Sequence, residues 1–516
     1  MRKQLSEISA LLQKRQIHDA EVLCHRLTQQ YPNSEHGWLL LGQICKIKGD
    51  LKGMLDHTRT GLSKAPDASA ALLKEAEASM LCGELKNIGD KLLKIEQKES
   101  GNAHMLQQVA ILYTHLERHA DALRCYTQAR NTIGDKPELL YNCATAATAL
   151  GDLEEAEVLL DKVIELNPLD YAAYYNRAVL RKQSQANNHI EQMEAVLLKQ
   201  QENSDAKVQL GYALAKEYED LGKHAQSFTK LKAAADARKK MLSYSVEGDV
   251  ATMEQIAEAM NNSFFTEMPT TDQGSGPIFI VGQPRSGTTL VDRILSSHSQ
   301  VESLGEINDF AQIFTQAIGA VQSKSELVLR STTLDFELVG KQYLTSTKAR
   351  NAAAPFLVDK TPANSLYIGL IAKALPNAKI IHLCRNPMDT CYAMYKTLFR
   401  MGYPYSYSLE DLGTYYVAYF KLMQHWREHL PGRILDLNYE SLVQNQESES
   451  RRLLEHCGLE WQESCLDFYK NSSASATASA AQVRQPMYQS SIEKWREYKD
   501  ELAPLYAILQ KAEIVA

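Results

Sequence analysis

Small and apolar residues recur along the first 240 residues with a period of 34, the length of a common two-helix repeat. The period can be counted from residues of fixed role: Pro32 and Pro66 are 34 positions apart, and so are Ala122 and Ala156. The small residues mark positions where paired helices approach closely, and the prolines mark helix ends. The pattern predicts about six or seven helical repeats, some of them degenerate, stacked into an all-α solenoid.

The repeat that begins at Glu35 is the most informative. Its first helix contains Trp38, Leu41 and Gly42, and this spacing resembles the tetratricopeptide consensus. The resemblance implies a helical array over residues 1–240, with a concave face that binds a peptide or a protein.

A different pattern follows residue 276, where short apolar runs alternate with long helical stretches. Before it, the segment 241–276 ends in small and polar residues typical of a linker. The apolar runs lie at 278–281, 356–358, 380–383 and 434–437. Such alternation is typical of a mostly parallel sheet, so we predict a linker over 241–276 and an α/β domain over 277–516.

The first apolar run leads into a loop with Gly282 and Gly287 at its ends and then into a helix. Strand, glycine-containing loop and helix N-terminus together form an anion site, because backbone N–H groups converge there and the helix dipole is positive. The loop is P-loop-like. However, Thr288 stands where a nucleotide hydrolase has its lysine, and the cation is Arg285 inside the loop.

The heptapeptide PRSGTTL, residues 284–290, resembles the 5′-phosphosulfate loop of the sulfotransferase family, in the branch of the tyrosylprotein sulfotransferases. The resemblance implies a domain that transfers a sulfuryl group from 3′-phosphoadenosine-5′-phosphosulfate, as co-substrate, to a hydroxyl acceptor. The residues expected to bind this donor are Arg285, Ser286, Gly287, Thr288, Thr289, Arg385, Tyr439 and Lys494.

Lys360, Arg385 and Tyr439 each follow a different apolar run. Because the carboxyl ends of parallel strands meet at one edge of a sheet, we expect these side chains to lie near the loop. Around Arg385 the sequence resembles the family's 3′-phosphate motif, but Ala393 stands where the motif has a serine.

The missing hydroxyl near Ala393 implies weaker 3′-phosphate binding or compensation by Thr390 or Thr397. The segment 482–495 resembles the family's terminal lid, in which Lys494 or Arg484 closes over the nucleotide.

A glutamate follows the loop arginine by 21 residues. In the tyrosylprotein branch a glutamate at this distance is the catalytic base, so the resemblance assigns that role to Glu306. Arg285 and Lys360 would stabilise the charge that develops during transfer, and no metal is expected. His298 is the rival base, but its place at a helix C-terminus favours a structural role.

The composition of the chain bears on membrane insertion, nucleic-acid binding and cellular compartment. No stretch approaches the roughly 20 apolar residues of a membrane helix, and the net charge of −7 gives no reason to expect nucleic-acid binding. Nine cysteines without paired spacing indicate reduced thiols and a cytoplasmic protein.

Two other functions stay open from the sequence. One is a P-loop kinase or NTPase, which the missing lysine disfavours. The other is a scaffold that binds partners through its repeats and has an inactive transferase domain. The acceptor is equally open: a protein or peptide tyrosine, a sugar, a lipid or a small phenol.

Overall fold

Fourteen helices occupy the region of the predicted repeats in a computed structural model of the chain. The structure describes residues 1–266, 276–350, 354–399, 402–471, 473 and 482–515. The repeat helices are α1 (Arg2–Gln13), α2 (Ile17–Gln30), α3 (Glu35–Lys48), α4 (Leu51–Lys64), α5 (Ser69–Leu81), α6 (Ile88–Lys98), α7 (Ala103–His115), α8 (His119–Ile133), α9 (Pro137–Leu150), α10 (Leu153–Leu166), α11 (Tyr171–Val179), α12 (Ile190–Lys199), α13 (Ser204–Asp220) and α14 (His224–Lys240).

The helices pack in sequential pairs, such as α3 with α4, α7 with α8 and α13 with α14. The recurring alanines Ala20, Ala122 and Ala156 are completely buried, as expected where two helices approach closely. Pro66 and Pro168 lie just beyond the ends of α4 and α10, where they prevent continuation of each helix. The predicted helical repeats are therefore confirmed.

The chain forms two compact units. The first contains Met1–Asn142, and the second begins at Cys143. The later repeats thus belong to the same unit as the sheet, because α13 and α14 share a hydrophobic core with it.

The segment predicted as a linker, 241–276, contains two helices in its described part. They are α15 (Val246–Ala259) and α16 (Asn262–Phe265). Val246, Met253 and Ile256 are buried, and α15 packs against the helices Leu409–His429 and Lys324–Ser331. This stretch is consequently part of the folded unit. The small and polar residues 267–275 lie outside the described residues.

A five-stranded parallel sheet forms the centre of the second unit, in the order β2-β3-β1-β4-β5. The strands are β1 (Ile278–Gly282), β2 (Val301–Ser303), β3 (Phe356–Asp359), β4 (Lys379–Cys384) and β5 (Ile434–Asn438). Four of them coincide with the predicted apolar runs, which confirms the α/β class. The short strand β2 was not predicted.

Helices cover both faces of this sheet. They are α17 (Thr288–Ser296), α18 (Asp309–Ile318), α19 (Lys324–Ser331), α20 (Phe336–Lys348), α21 (Ile368–Ala374), α22 (Pro387–Tyr395), α23 (Leu409–His429), α24 (Tyr439–Gln444), α25 (Gln446–Cys457) and α26 (Ala503–Lys511). Shorter 3₁₀ helices lie at Pro362–Tyr367, Pro404–Tyr407, Glu463–Cys465, Phe468–Lys470, Gln482–Arg484 and Lys494–Tyr498.

Side chains alternate between two cores along β1. Ile278 and Ile280 pack into one core, and Phe279 and Val281 pack into the other. Burial on both faces explains why β1 appears in the sequence as an uninterrupted apolar run. Among the described residues, no helix is both long enough and apolar enough to cross a membrane.

Candidate active site

The loop between β1 and α17 has an unusual backbone. Arg285 has a φ of 67°, a conformation that L-residues seldom adopt. Gly287 has a φ of 111°, and a Cβ atom at this position would lie 2.6 Å from the ring of Tyr439. The backbone conformation therefore disfavours a side chain at position 287, and such a side chain would also clash with the ring of Tyr439.

The same loop contains a buried hydroxyl without a partner. Ser286 is 1% exposed, and its Oγ makes no hydrogen bond. Buried polar groups are nearly always satisfied in folded proteins. An unsatisfied donor inside a glycine-containing loop, at the N-terminus of α17, fits an anionic ligand.

Arg385, which follows β4, contacts this loop directly. Its Nη1 donates to the main-chain oxygen of Arg285 over 2.8 Å, and its guanidinium lies 4.8 Å from the ring centroid of Tyr439. Burial, together with the nearby charge of Arg385, lowers the pKa of Arg285. The sheet edge thus brings two arginines and a tyrosine together, and a bound anion would relieve the repulsion between the two cations.

Lys360 and Glu306 form an ion pair at the ends of β3 and β2. The Nζ of Lys360 donates to Oε1 of Glu306. Lys360 is 1% exposed, whereas the Glu306 side chain is 46% exposed. The buried ammonium therefore holds a carboxylate whose other face is accessible to an acceptor.

Main-chain contacts between the two strand ends fix the position of this pair. Leu304 N donates to Val358 O over 2.8 Å, and Lys360 N donates to Gly305 O over 3.0 Å. The hydroxyl of Thr361 adds a bond of 2.8 Å to Ile307 O.

Asp292 on α17 is a buried carboxyl that the sequence did not single out. It is 7% exposed. Burial raises its pKa, and the charge of Lys360 opposes that rise. Asp292 is thus a second acidic group, besides Glu306, that interacts electrostatically with Lys360. It lies on the helix that follows the loop.

Tyrosines line the region next to Glu306. The rings of Tyr405 and Tyr415 are stacked, with centroids 3.5 Å apart, and the Tyr405 hydroxyl donates to Gln283 Oε1 of the loop over 3.2 Å. The ring of Tyr403 is edge-on to Tyr405. Burial raises the pKa of Tyr403, and the negative charge of Glu306 adds to the effect. An aromatic wall therefore extends from the loop to the carboxylate.

The segment Gln482–Tyr498, which we call the strap, contacts the arginines of the site. Gln482 Oε1 accepts from Arg285 Nη2 over 3.1 Å. The main-chain oxygen of Ser491 accepts from Arg385 Nη2 over 2.7 Å, and its Oγ lies 2.7 Å from the hydroxyl of Tyr439. Ser491 and Gln482 were not predicted, because their contacts join distant parts of the sequence.

The predicted lid residues have other contacts. Lys494 pairs with Glu497 at 2.5 Å, and Arg484 Nη2 donates to Ala149 O at the end of α9 over 3.0 Å. Neither contact reaches Arg285 or Arg385, and a role of Lys494 in donor binding stays a prediction.

Helix α22 joins the strap to the repeats. Near its start, Asp389 accepts from the main-chain N–H groups of Glu493 and Trp495, over 2.7 and 3.0 Å. Near its end, Tyr392 and Lys396 donate to Glu219 of α13, over 2.9 and 2.8 Å.

The strap also contacts the repeats directly. The hydroxyl of Tyr498 donates to Glu219 over 3.3 Å and lies 3.2 Å from Nδ1 of His224. A carboxylate of the repeats therefore contacts both the helix that follows Arg385 and the strap.

His298 has the structural role expected from the sequence. It is buried; its Nε2 lies 2.9 Å from Glu460 O, and its Nδ1 accepts from Gln300 N over 3.1 Å. Both ring nitrogens are engaged with the backbone, so the imidazole is unsuited to accept a proton from an acceptor.

In the described part of the chain, one group of side chains has the composition of a metal site: His382, Cys384 and Asp436, with their ligand atoms within 4.8 Å of one another. Arg427 Nη2 donates to Asp436 over 2.8 Å and lies 3.2 Å from His382 Nδ1. A guanidinium so close to the donor atoms repels a cation, and the group is better described as an ion-pair network.

Known proteins resemble both parts of the chain. Residues 277–463 match the family model described as "Sulfotransferase family", and residues 113–178 match "Tetratricopeptide repeat". An uncharacterized protein of Aquifex aeolicus is 30% identical over 442 residues, covering 81% of this chain. This chain spans about half of that protein's length, 56%.

A putative protein-tyrosine sulfotransferase of Caenorhabditis briggsae is 25% identical over 251 residues, covering 45% of this chain and 88% of that protein. Among solved structures, the sulfotransferase domain of the Synechococcus PCC 7002 olefin synthase is 18% identical. The alignment covers 48% of this chain and 98% of that domain, with a TM-score of 0.35.

Proposed function

We propose that this chain, which carries a sulfotransferase-family domain and tetratricopeptide repeats, is a sulfotransferase. Its sulfuryl donor would be 3′-phosphoadenosine-5′-phosphosulfate. The observation that carries the proposal is the composition of one sheet edge. A phosphate loop with an unsatisfied buried hydroxyl, two adjacent arginines and a lysine-held carboxylate all lie at the ends of neighbouring strands.

The donor would use the phosphate loop and Arg385. The loop amides, with the hydroxyls of Ser286, Thr288 and Thr289, suit the 5′-phosphosulfate, and Arg285 adds a charge-assisted contact. Arg385, stacked against Tyr439, suits the 3′-phosphate. Both arginines contact the strap in this structure, so the strap would hold them in place beside the loop for donor binding.

Thr390 would supply the hydroxyl that Ala393 lacks. Its Oγ1 is buried without a hydrogen-bond partner, on the same helix and three residues before Ala393, so the two positions are neighbours on one face. Thr397, the other candidate, already donates to Ala393 O over 2.8 Å.

In the transfer step, the acceptor oxygen would bond to sulfur while the bond between sulfur and the bridging phosphate oxygen breaks. Glu306 would take the acceptor's proton, since its carboxylate is accessible. Lys360 and Arg285 would neutralise the charge that grows on the sulfuryl group and the departing phosphate.

The acceptor would be a phenol, such as a tyrosine of a protein or peptide. The aromatic wall formed by Tyr403, Tyr405 and Tyr415 suits an aromatic ring beside Glu306. The relative from Caenorhabditis briggsae is named for protein tyrosine, and the repeats offer a surface for a peptide. We also expect the reaction to need no metal.

Calorimetry and product analysis test the proposal. The chain should bind 3′-phosphoadenosine-5′-phosphate and should bind ATP with magnesium far more weakly. Incubation with the sulfated donor and tyrosine-containing peptides should yield a mass increase of one sulfuryl group. Comparable affinity for ATP, together with phosphate release, would instead indicate an NTPase.

A further inference from the structure

A cavity lies at the edge of the sheet opposite to the phosphate loop. Its volume is about 450 Å³, and its lining includes residues at the amino ends of strands. Lys379 is the first residue of β4, Arg433 directly precedes β5, and Gly276 lies two residues before β1. The cavity is therefore separated from the proposed donor site by the length of the strands.

Basic side chains dominate the charge of this cavity. Lys379, Arg433 and His456 line it, and no acidic residue is among its described lining. Within the ranges that the structure describes, neither Lys379 nor Arg433 forms an ion pair with a carboxylate. Burial lowers the pKa of Arg433, and no nearby negative charge offsets that effect.

Two buried nitrogens in the cavity have no hydrogen-bond partner: Nη2 of Arg433 and Nε2 of His456. A buried, unsatisfied donor destabilises the folded chain, and more so when it is charged. The packing thus leaves Nη2 of Arg433 available to a ligand. Burial and the charge of Lys379 lower the pKa of His456, so its imidazole adds no positive charge at neutral pH.

We propose that this cavity binds a phosphate-bearing small molecule. Arg433 offers a planar guanidinium that suits phosphate oxygens. Lys379 adds a second positive charge, and two cations around one space favour a group with close to two negative charges. The volume lies within the range of small-molecule sites. Inorganic phosphate and a phosphomonoester share this chemistry.

Titration of the full-length chain with inorganic phosphate tests the site, with Arg285→Ala as the background that weakens the first anion site. Arg433→Gln and, separately, Lys379→Gln should weaken the remaining phosphate binding by tenfold or more. Arg451→Gln is the control: Arg451 lies on α25, as His456 does, but pairs with Glu447 outside the cavity. It should leave binding unchanged.

Glycerol phosphate and adenosine monophosphate identify the source of the ligand. If either compound binds more tightly than inorganic phosphate and this binding is lost in Arg433→Gln, the ligand is a phosphomonoester. If inorganic phosphate alone binds, the ligand is free phosphate. A crystal soaked in tungstate should show anomalous scattering beside Arg433. The proposal is overturned if no phosphate compound binds, if Arg433→Gln and Lys379→Gln bind phosphate as the parent does, or if tungstate occupies only the phosphate loop.

Discussion

The ion pair of Glu306 and Lys360 combines two requirements that usually conflict. A base must be accessible to its substrate, yet it must also be held in place. Here the lysine is buried and the glutamate is half-exposed, so the buried lysine holds the carboxylate in position. A carboxylate in this position can receive a proton without itself being buried.

Glu306→Gln keeps the shape of the side chain but cannot accept a proton. We expect turnover to fall by roughly 100-fold while donor affinity stays nearly constant. Initial rates and calorimetry with 3′-phosphoadenosine-5′-phosphate measure the two quantities. Glu337→Gln, an exposed residue of α20, is the control. Full turnover in Glu306→Gln would contradict the assignment of the base.

Arg285→Ala should have a different phenotype, because it removes the charge-assisted contact that we propose Arg285 makes to the phosphosulfate. Donor binding should weaken by about 1.5 to 3 kcal/mol, with a parallel loss of rate. Calorimetry distinguishes the two variants. A donor affinity equal to that of the parent would show that the loop binds the donor through its amides alone.

Thr390→Val tests the hydroxyl near the 3′-phosphate. Donor affinity should fall by about 0.5 to 1.5 kcal/mol, the usual net value of one hydrogen bond. Adding Ala393→Ser in the same chain should restore it. Thr397→Val is the matched control, since its hydroxyl is already bonded to Ala393 O. If Thr390→Val binds the donor like the parent, the 3′-phosphate is held without this hydroxyl.

At the level of secondary-structure elements, β3 ends in a carboxyl that opposes folding at neutral pH. Asp359 is 1% exposed, and burial raises its pKa to about 7. The hydroxyl of Tyr343 donates to it over 2.9 Å and only partly compensates. The folded chain therefore binds more protons here than the unfolded chain between about pH 4 and pH 7.

Stability should consequently fall as pH rises through this window, by up to about 1.4 kcal/mol per pH unit from this group. Asp359→Asn removes the titrating carboxyl group. The difference between the melting temperature of this variant and that of the parent should therefore grow from pH 4 to pH 7 and then level off. Asp500→Asn, at an exposed position, should show no such trend. A difference that is constant with pH would mean that Asp359 stays ionised.

Strands in which apolar residues predominate could be predicted from the sequence, whereas the short strand β2 and the helix α15 could not. Four strands were found because each is mostly apolar, with a single polar residue, His382 or Asp436, inside the runs of β4 and β5. In contrast, β2 is only Val301–Ser303, with one buried residue. The helix α15 was taken for linker because Val246, Met253 and Ile256 are few and widely spaced among polar residues.

Candidate site residues could likewise be predicted only where a local pattern of the sequence places them. Arg285, Lys360, Arg385 and Tyr439 were expected at one edge because strand ends converge there. Ser491 and Glu219 depend on tertiary contacts that no local pattern encodes. Lys494 was proposed because its segment resembles the family's lid, and its role stays a prediction. The structure places Ser491 of the same segment against Arg385.

At the scale of the whole molecule, the later repeats support the transferase domain. Glu219 accepts hydrogen bonds from three residues of that domain, which are Tyr392, Lys396 and Tyr498. Tyr212 of α13 adds a bond of 3.2 Å to Tyr395 O, and the ring of Phe228 packs between Tyr395 and Tyr498. The repeats thus hold both the helix that follows Arg385 and the strap.

Glu219→Gln should therefore lower both stability and donor affinity. It leaves Lys396 without its ion-pair partner, at a cost of about 1.5 to 3 kcal/mol, and it loosens the strap. Thermal melting and calorimetry measure the two effects. Glu194→Gln is the control and should leave donor affinity intact. Among the residues that the structure describes, the partners of Glu194 are Lys230 and Tyr218, both within the repeats.

Retained donor affinity in Glu219→Gln, despite a lower melting temperature, would show that the strap keeps its place without the repeats.

The contacts between the strap and Arg385 have a consequence for biosynthesis. Domains tend to fold as they leave the ribosome, amino-terminal parts first. The repeats and the phosphate loop are translated well before residues 482–498, so Arg385 and Tyr439 meet Ser491 only after that segment has emerged. A nascent chain stalled before residue 482 would present its anion-binding groups uncovered, and the strap would cover them only once residues 482–498 have left the ribosome.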